Sequence, residues 1–284
     1  MRRAFFLLML LLAALAVLLG FWGQGGPGSG GNCLCVYYGP VDDSVLHWLS
    51  TCRTAVLAPT LPHHVLRVLH GAGVEVYGYV SLTTLGGWEP WARMVNDSML
   101  VEPAGGPWGE AVVNPCSRGW RSVLHWAIEY LQQRGYDGVF LDNLDMVDHY
   151  LWMRGCVEEL VRQVKAWSPG LRVVVNRGFT VLPHIADVID GLLFEDFVTY
   201  YSPGKGYGVF SASELMWEKK VLNQTLELSE RWGFQVFLLA YAPPGDTELL
   251  DRICREWRSW GHGLPLYVAP GTLQEPGVCN PCRS

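Results

Sequence analysis

From residue 33 onward, short runs of apolar, β-branched and aromatic residues alternate with longer stretches in which apolar positions recur every three to four residues. Runs such as Val173-Val174-Val175 and Leu192-Leu193-Phe194 are continuous, as strands covered on both faces are. The pattern predicts strands at 33–39, 54–58, 74–81, 138–142, 171–176, 191–195, 234–241 and 264–269. Amphipathic helical stretches fall at 61–70, 120–134, 150–167, 213–232 and 247–260, with Pro62, Pro183 and Ser211 placed where helices begin. Strands and helices alternating in this way, eight of each or nearly so, predict an α/β chain folded as a single-domain (β/α)8 TIM barrel.

One connection breaks the rhythm. Residues 82–117 contain Gly86-Gly87, Gly105-Gly106 and several Trp with little periodicity, and read as a long functional loop. It follows the third strand, so it is expected over the C-terminal ends of the strands, where barrel active sites are built.

The first residues belong to a different regime. Arg2 and Arg3 precede an uncharged apolar run, so residues 1–22 read as an export signal, either a cleaved signal peptide or a retained anchor. Residues 23–31, almost all Gly, Pro and Ser, read as a flexible linker, leaving 32–284 for the barrel. The positive-inside rule puts the barrel outside, secreted or anchored on the outer face of the membrane, which it would touch only through the N-terminal segment. In that setting the eight Cys are expected to pair, with one bond from Cys33 or Cys35 to Cys279 or Cys282 stapling the first strand to the last. A four-thiolate zinc site from those same four residues is the alternative.

Composition narrows the partners. A formal charge of -6 with 17% charged residues leaves no phosphate-tracking surface, so nucleic acid is excluded. Thirteen Trp and twelve Tyr supply aromatic faces for an apolar ligand surface. The chain contains no Walker loop, no Gly-x-Ser-x-Gly elbow and no His-Glu-x-x-His, which removes nucleotide, serine-hydrolase and zinc-protease chemistries. His125 and His149 lack ligand spacing to an acidic partner, so neither a metal nor a cofactor is expected, and the chain reads as a monomer.

The chemistry is concentrated at strand ends. The fourth strand finishes Val139-Phe140-Leu141-Asp142-Asn143-Leu144-Asp145, the fifth Val175-Asn176-Arg177, and the sixth Phe194-Glu195-Asp196. A lone Asp there is equally a helix cap, but two carboxylates two strands apart at one barrel mouth match the pair that glycoside cleavage requires. Asp142 and Glu195 are the candidate catalytic pair, spaced as in a retaining enzyme, with Asp142 ionised as nucleophile and Glu195 as the acid of raised pKa. Tyr38, Tyr79, Asn143, Asp145, Asn176, Arg177, Asp196, Tyr200, Tyr201 and Tyr241 are the candidate substrate-binding residues.

The segment Gly135-Tyr136-Asp137-Gly138-Val139-Phe140-Leu141-Asp142-Asn143-Leu144-Asp145 resembles the corresponding motif of the endo-α-1,4-polygalactosaminidase-like barrels, glycoside hydrolase family 114 and relatives. The resemblance extends to Val36-Tyr37-Tyr38-Gly39, Tyr77-Gly78-Tyr79-Val80-Ser81 and Phe194-Glu195. It implies a barrel hydrolase acting on α-linked amino-sugar polymers, with Asp142 and Glu195 catalytic. Departures at Ser81-Leu82-Thr83-Thr84 and at Asn176-Arg177-Gly178 bear on the substrate rather than the fold. The reading from a different class is a cell-surface barrel that binds carbohydrate without turning it over.

Overall fold

The computed structural model describes residues 33–106 and 108–283. The expected leader and linker, residues 1–31, lie outside the described residues. No helix among the described residues is long and apolar enough to cross a membrane.

Eight parallel strands form the barrel in the order β1 (Leu34–Tyr37), β2 (Thr54–Leu57), β3 (Glu75–Ser81), β7 (Gly138–Asp142), β8 (Arg172–Asn176), β9 (Gly191–Phe194), β12 (Gln235–Tyr241) and β13 (Leu266–Ala269). The expected strands are all present; 138–142 agrees at both ends and the other seven are shorter by one to three residues. Their interior is packed by Val36, Val56, Tyr77, Phe140, Val174, Leu193, Phe237 and Leu239, while the alternate residues meet the helices outside. This explains the continuous apolar runs: both faces of each strand are covered.

Seven α-helices surround the strands among the described residues: α1 (Asp43–Leu49), α2 (His63–Gly71), α3 (Arg118–Arg134), α4 (Arg154–Trp167), α5 (Leu182–Ile185), α6 (Ala212–Trp232) and α7 (Thr247–Trp260). Pro62 and Ser211 are N-caps and Pro183 lies in the first turn of α5, as their positions in the sequence suggest. Ser211 and Glu214 form a capping box on α6, and Gly135 ends α3 at φ +88, where a side chain would be strained.

Two features depart from the eightfold pattern. Among the described residues no α-helix follows β13; the chain instead turns back as β14 (Val278–Cys279), antiparallel to β13. β1 and β13 meet at the closure, where they are joined by the Tyr267 hydroxyl on the Val36 carbonyl (3.3 Å), the Tyr38 N–H on the Leu273 carbonyl (2.7 Å) and the Cys33–Cys279 disulfide. The second departure is 82–117, which is a small antiparallel sheet rather than a loop. Its strands β4 (Thr84–Leu85), β5 (Leu100–Glu102) and β6 (Ala111–Val113) lie in the order β4-β6-β5. Trp120 on α3 holds its start by donating to the Leu82 carbonyl, and Cys116–Cys156 ties its end to α4.

All eight cysteines are paired, the remaining bonds being Cys35–Cys52 and Cys254–Cys282. The stapling bond expected across the closure is present. The four-thiolate zinc set is not: Cys282 is held by Cys254 on α7, away from Cys33, Cys35 and Cys279.

Candidate active site

Three neighbouring strands end in the same way. Asp142, Asn176 and Glu195 are the last side chains of, or the first beyond, β7, β8 and β9. The residue after each, Asn143 (φ 59), Arg177 (φ 48) and Asp196 (φ 63), turns the chain into the left-handed region. This conformation is sparsely populated by side chains other than Gly and Asn, and it persists where the surrounding structure over-determines it. Asn143 is fixed by donating Nδ2 to the hydroxyls of Ser81 and Thr84 (both 3.0 Å), and Thr83 donates to its carbonyl. Arg177 is fixed by donating its N–H to the Leu193 carbonyl.

These kinks aim the three polar side chains into a cleft of about 730 Å³ at the C-terminal mouth. Asn176 is the bridge, its Nδ2 donating both to Asp142 Oδ1 (2.8 Å) and to Glu195 Oε2. Two oxygens bound to one nitrogen stand no more than two hydrogen-bond lengths apart, roughly 5–6 Å. Asp142 Oδ1 also accepts the Asn143 N–H (2.8 Å), and Glu195 Oε1 accepts the Tyr241 hydroxyl.

Burial lifts both carboxyls to about 7, each helped by a neighbouring charge, Glu195 acting on Asp142 and Asp196 on Glu195. Hydrogen bonds from Asn176 oppose the rise in both, as Tyr241 and Arg177 do at Glu195. The raised pKa expected for Glu195 is shared by Asp142, because burial acts on both carboxyls. The two groups titrate as a pair that holds on to a proton near neutrality. Tyr38, Tyr79 and Tyr241 line the cleft beside them, and burial together with the carboxylates holds all three hydroxyls protonated.

Behind Glu195 lies a second charged group. Arg177 donates to Asp196 (2.9 Å) and to the Glu195 backbone carbonyl (3.3 Å), and stands 3.7 Å from Asp145. Burial works against its charge, but Asp196, Asp145 and Glu218 outweigh that and raise its pKa. Arg177 is thus held by acids of the protein itself, although it reaches the cleft wall.

Of the candidate residues, all but Tyr200 line this cleft. Tyr200 and Tyr201 are successive residues of β10 (Thr199–Ser202), which pairs with β11 (Gly206–Val209), and successive strand residues face opposite ways. Tyr201 faces the cleft, and Tyr200 packs on Phe210 with ring centroids 5.0 Å apart. Sequence reasoning missed Glu110, His149 and Gln274 in the cleft wall and did not single out Trp88 or Trp108 by number; the irregularity of 82–117 was the available signal for those two and Glu110. A hollow of about 550 Å³ at the opposite end of the barrel, between Lys165, Arg172, Asp187 and Gln235, lies across the packed interior from these carboxylates.

A parallel barrel carrying two half-buried carboxylates bridged by an amide at its C-terminal mouth is a glycosidase-type barrel. The chain belongs to glycoside-hydrolase family GH114, whose model matches residues 58–266. Among solved structures, it is similar to the glycoside hydrolase domain of PelA from Pseudomonas aeruginosa, with 23% identity, a TM-score of 0.72, and coverage of 88% of this chain and 98% of that one. It is also similar to Aspergillus fumigatus Ega3, solved in complex with galactosamine, with 15% identity, a TM-score of 0.67, and coverage of 90% and 98%. At these identities the likeness establishes a shared fold. No curated protein sequence matches this chain.

Proposed function

We infer that the protein is an endo-acting, retaining glycoside hydrolase for α-linked amino-sugar polysaccharide, with Asp142 as nucleophile and Glu195 as acid and base. The single observation that carries this reading is the Asn176 bridge, which keeps one oxygen of each carboxylate within two hydrogen-bond lengths of the other and so supports the close spacing of a retaining pair, about 5–5.5 Å, over the wider gap that admits an inverting water. The Asn143 N–H and Asn176 Nδ2 both engage Oδ1 of Asp142, and Oδ2 is the oxygen assigned to the attack.

In the first step Asp142 bonds to the anomeric carbon as the glycosidic C–O bond breaks, and Glu195 gives its proton to the departing oxygen. Glu195, now ionised, takes a proton from water, whose oxygen displaces Asp142 from the same carbon. Asn176 spans both groups throughout, and Tyr241 keeps Glu195 oriented. The amino-sugar assignment rests on family membership and on the galactosamine named with the Ega3 structure. Export is supported by the basic, apolar start of the chain and by four disulfides in the folded part.

The deciding experiment incubates the protein with α-1,4-linked galactosamine polymer, weighs the products by mass spectrometry and follows the anomeric signal of the first product by NMR. The reading expects internal cleavage and an α product. Binding without any product would instead establish the non-catalytic barrel, and a β product would replace retention with inversion.

A further inference from the structure

The two most exposed aromatic rings of the cleft, Trp88 and Trp108, are 54% and 56% exposed. Both come from the segment 82–117, yet they stand on opposite arcs of the mouth. Trp88 leans on Tyr79 of β3, with centroids 5.5 Å apart. Trp108 stacks on Tyr201 at 6.0 Å and 26°, and Tyr201 packs against Tyr241 of β12. β3 and β12 are separated by four steps around a ring of eight strands, which makes them diametrically opposed. Asp142 on β7 and Glu195 after β9 lie on the arc between them. The inserted sheet therefore spans the mouth and presents one indole at each end of the cleft.

Each indole or its support is built in. A Cβ on Gly86 would collide with the Trp88 ring, and one on Gly271 would collide with the Tyr201 ring that backs Trp108. The Gly271 N–H is in turn held by the Tyr207 hydroxyl (2.9 Å). The Trp108 N–H donates to Glu110 (2.9 Å), and the base of the sheet is tied down by Cys116–Cys156. Two large apolar faces kept in water, with backbone and disulfide arranged around them, are surfaces awaiting a ligand with apolar faces of its own. A pyranose ring, with C–H groups on its faces and hydroxyls at its edge, is such a ligand, and aromatic residues with a few polar groups are the usual lining of a small-molecule site.

We propose that Trp88 and Trp108 are the stacking platforms of two sugar subsites, one on each side of the bond to be cut, so that the site selects the interior of a chain over short fragments. This rests on the reading of Asp142 and Glu195 as a glycosidic catalytic pair. Occupying only one platform leaves the other indole in water and half of the ligand unheld; a chain long enough to reach both gains twice.

The test uses α-1,4-linked galactosamine chains of two to eight units with the wild type, Trp88→Ala, Trp108→Ala, Trp88→Phe and Gly86→Ala. Wild-type kcat/KM should climb steeply with length until both platforms are reached. Each Trp→Ala change should cut the ratio of long-chain to two-unit kcat/KM about tenfold, mainly through KM, as loss of one aromatic contact does. Trp88→Phe should restore most of the ratio, and Gly86→Ala should mimic Trp88→Ala. Cleavage with the same length dependence in wild type and both Ala variants, at unchanged Tm, would overturn the platforms and leave the catalytic reading standing. A wild type that neither cleaves these chains nor quenches its Trp fluorescence on meeting them overturns the functional reading, and the platforms with it.

Discussion

Asp142 and Glu195 accept hydrogen bonds from the same nitrogen, Nδ2 of Asn176. A neutral amide is the only group among the described donors that touches both carboxylates, so it sets their separation and moderates their repulsion together.

Removing the bridge should therefore affect both limbs of the pH profile. In Asn176→Ala, each carboxyl loses a bond that favours its charged form, and the pKa values of the pair rise from about 7. The bell-shaped kcat/KM profile should move to higher pH, with kcat at pH 7 lower by about 10²-fold, the scale for losing one preorganised donor. A profile unmoved on the pH axis would show that Asn176 merely fills space.

The same pair makes a stability prediction that needs no substrate. In the unfolded chain these carboxyls titrate near 4, whereas burial holds them at about 7 in the fold. The folded protein thus binds more protons than the unfolded one between about pH 4 and 7. This contribution favours the fold at low pH and is lost as pH rises through 7. Asp142→Asn and Glu195→Gln cannot ionise, so both should melt higher than the wild type at pH 8, with the difference vanishing near pH 4. A lower Tm for both at pH 8 would contradict the burial argument.

Glu218 on α6 is a buried acid outside the proposed catalytic pair. It is 1% exposed, Oε2 has no hydrogen-bond partner, and burial raises its pKa to about 7, with Arg177 opposing. The sign is the same as for Asp142 and Glu195: its charge weighs against the fold as pH rises from about 4 through 7. Glu218→Gln should raise Tm above pH 7 and leave it unchanged near pH 4. Arg177 keeps Asp196 and Asp145 in that variant, so the substitution isolates the cost of the buried acid.

The Cys116–Cys156 bond joins the inserted sheet to α4 across a sequence separation of 40 residues. Chain-entropy reasoning assigns closure of such a loop about 4 kcal/mol. The double variant Cys116→Ser/Cys156→Ser should melt roughly 8–16 °C lower, at the 2–4 °C per kcal/mol usual for a domain of this size. Hydrogen exchange should quicken first at Leu100–Glu102 and Ala111–Val113, the strands nearest the lost staple. Uniform exchange across the barrel would mean that the insert is secured elsewhere.

What the sequence determined is what depends on neighbours along the chain. Continuous apolar runs identified all eight barrel strands because a strand covered on both faces needs apolar residues at every position. The polar residue ending such a run marked Asp142, Asn176 and Glu195, since a desolvated carboxylate or amide stands out against Phe-Leu or Val-Val. Pro62 and Ser211 marked helix starts through their own backbone chemistry. Tertiary structure decided everything that depends on residues far apart in the chain. The Asn176 bridge joins three strands, and burial where they meet, with the Glu195 charge second, is why Asp142 shares the raised pKa that local sequence assigned only to Glu195. One step of strand register turned Tyr201 to the cleft and Tyr200 to Phe210. The turn back into β14 in place of an α-helix after β13, the pairing of Cys282 with Cys254 and the reach of 82–117 across the mouth were likewise hidden. Periodicity reports which face of an element is buried, but not which residue from elsewhere buries it, and a catalytic site is made of such encounters.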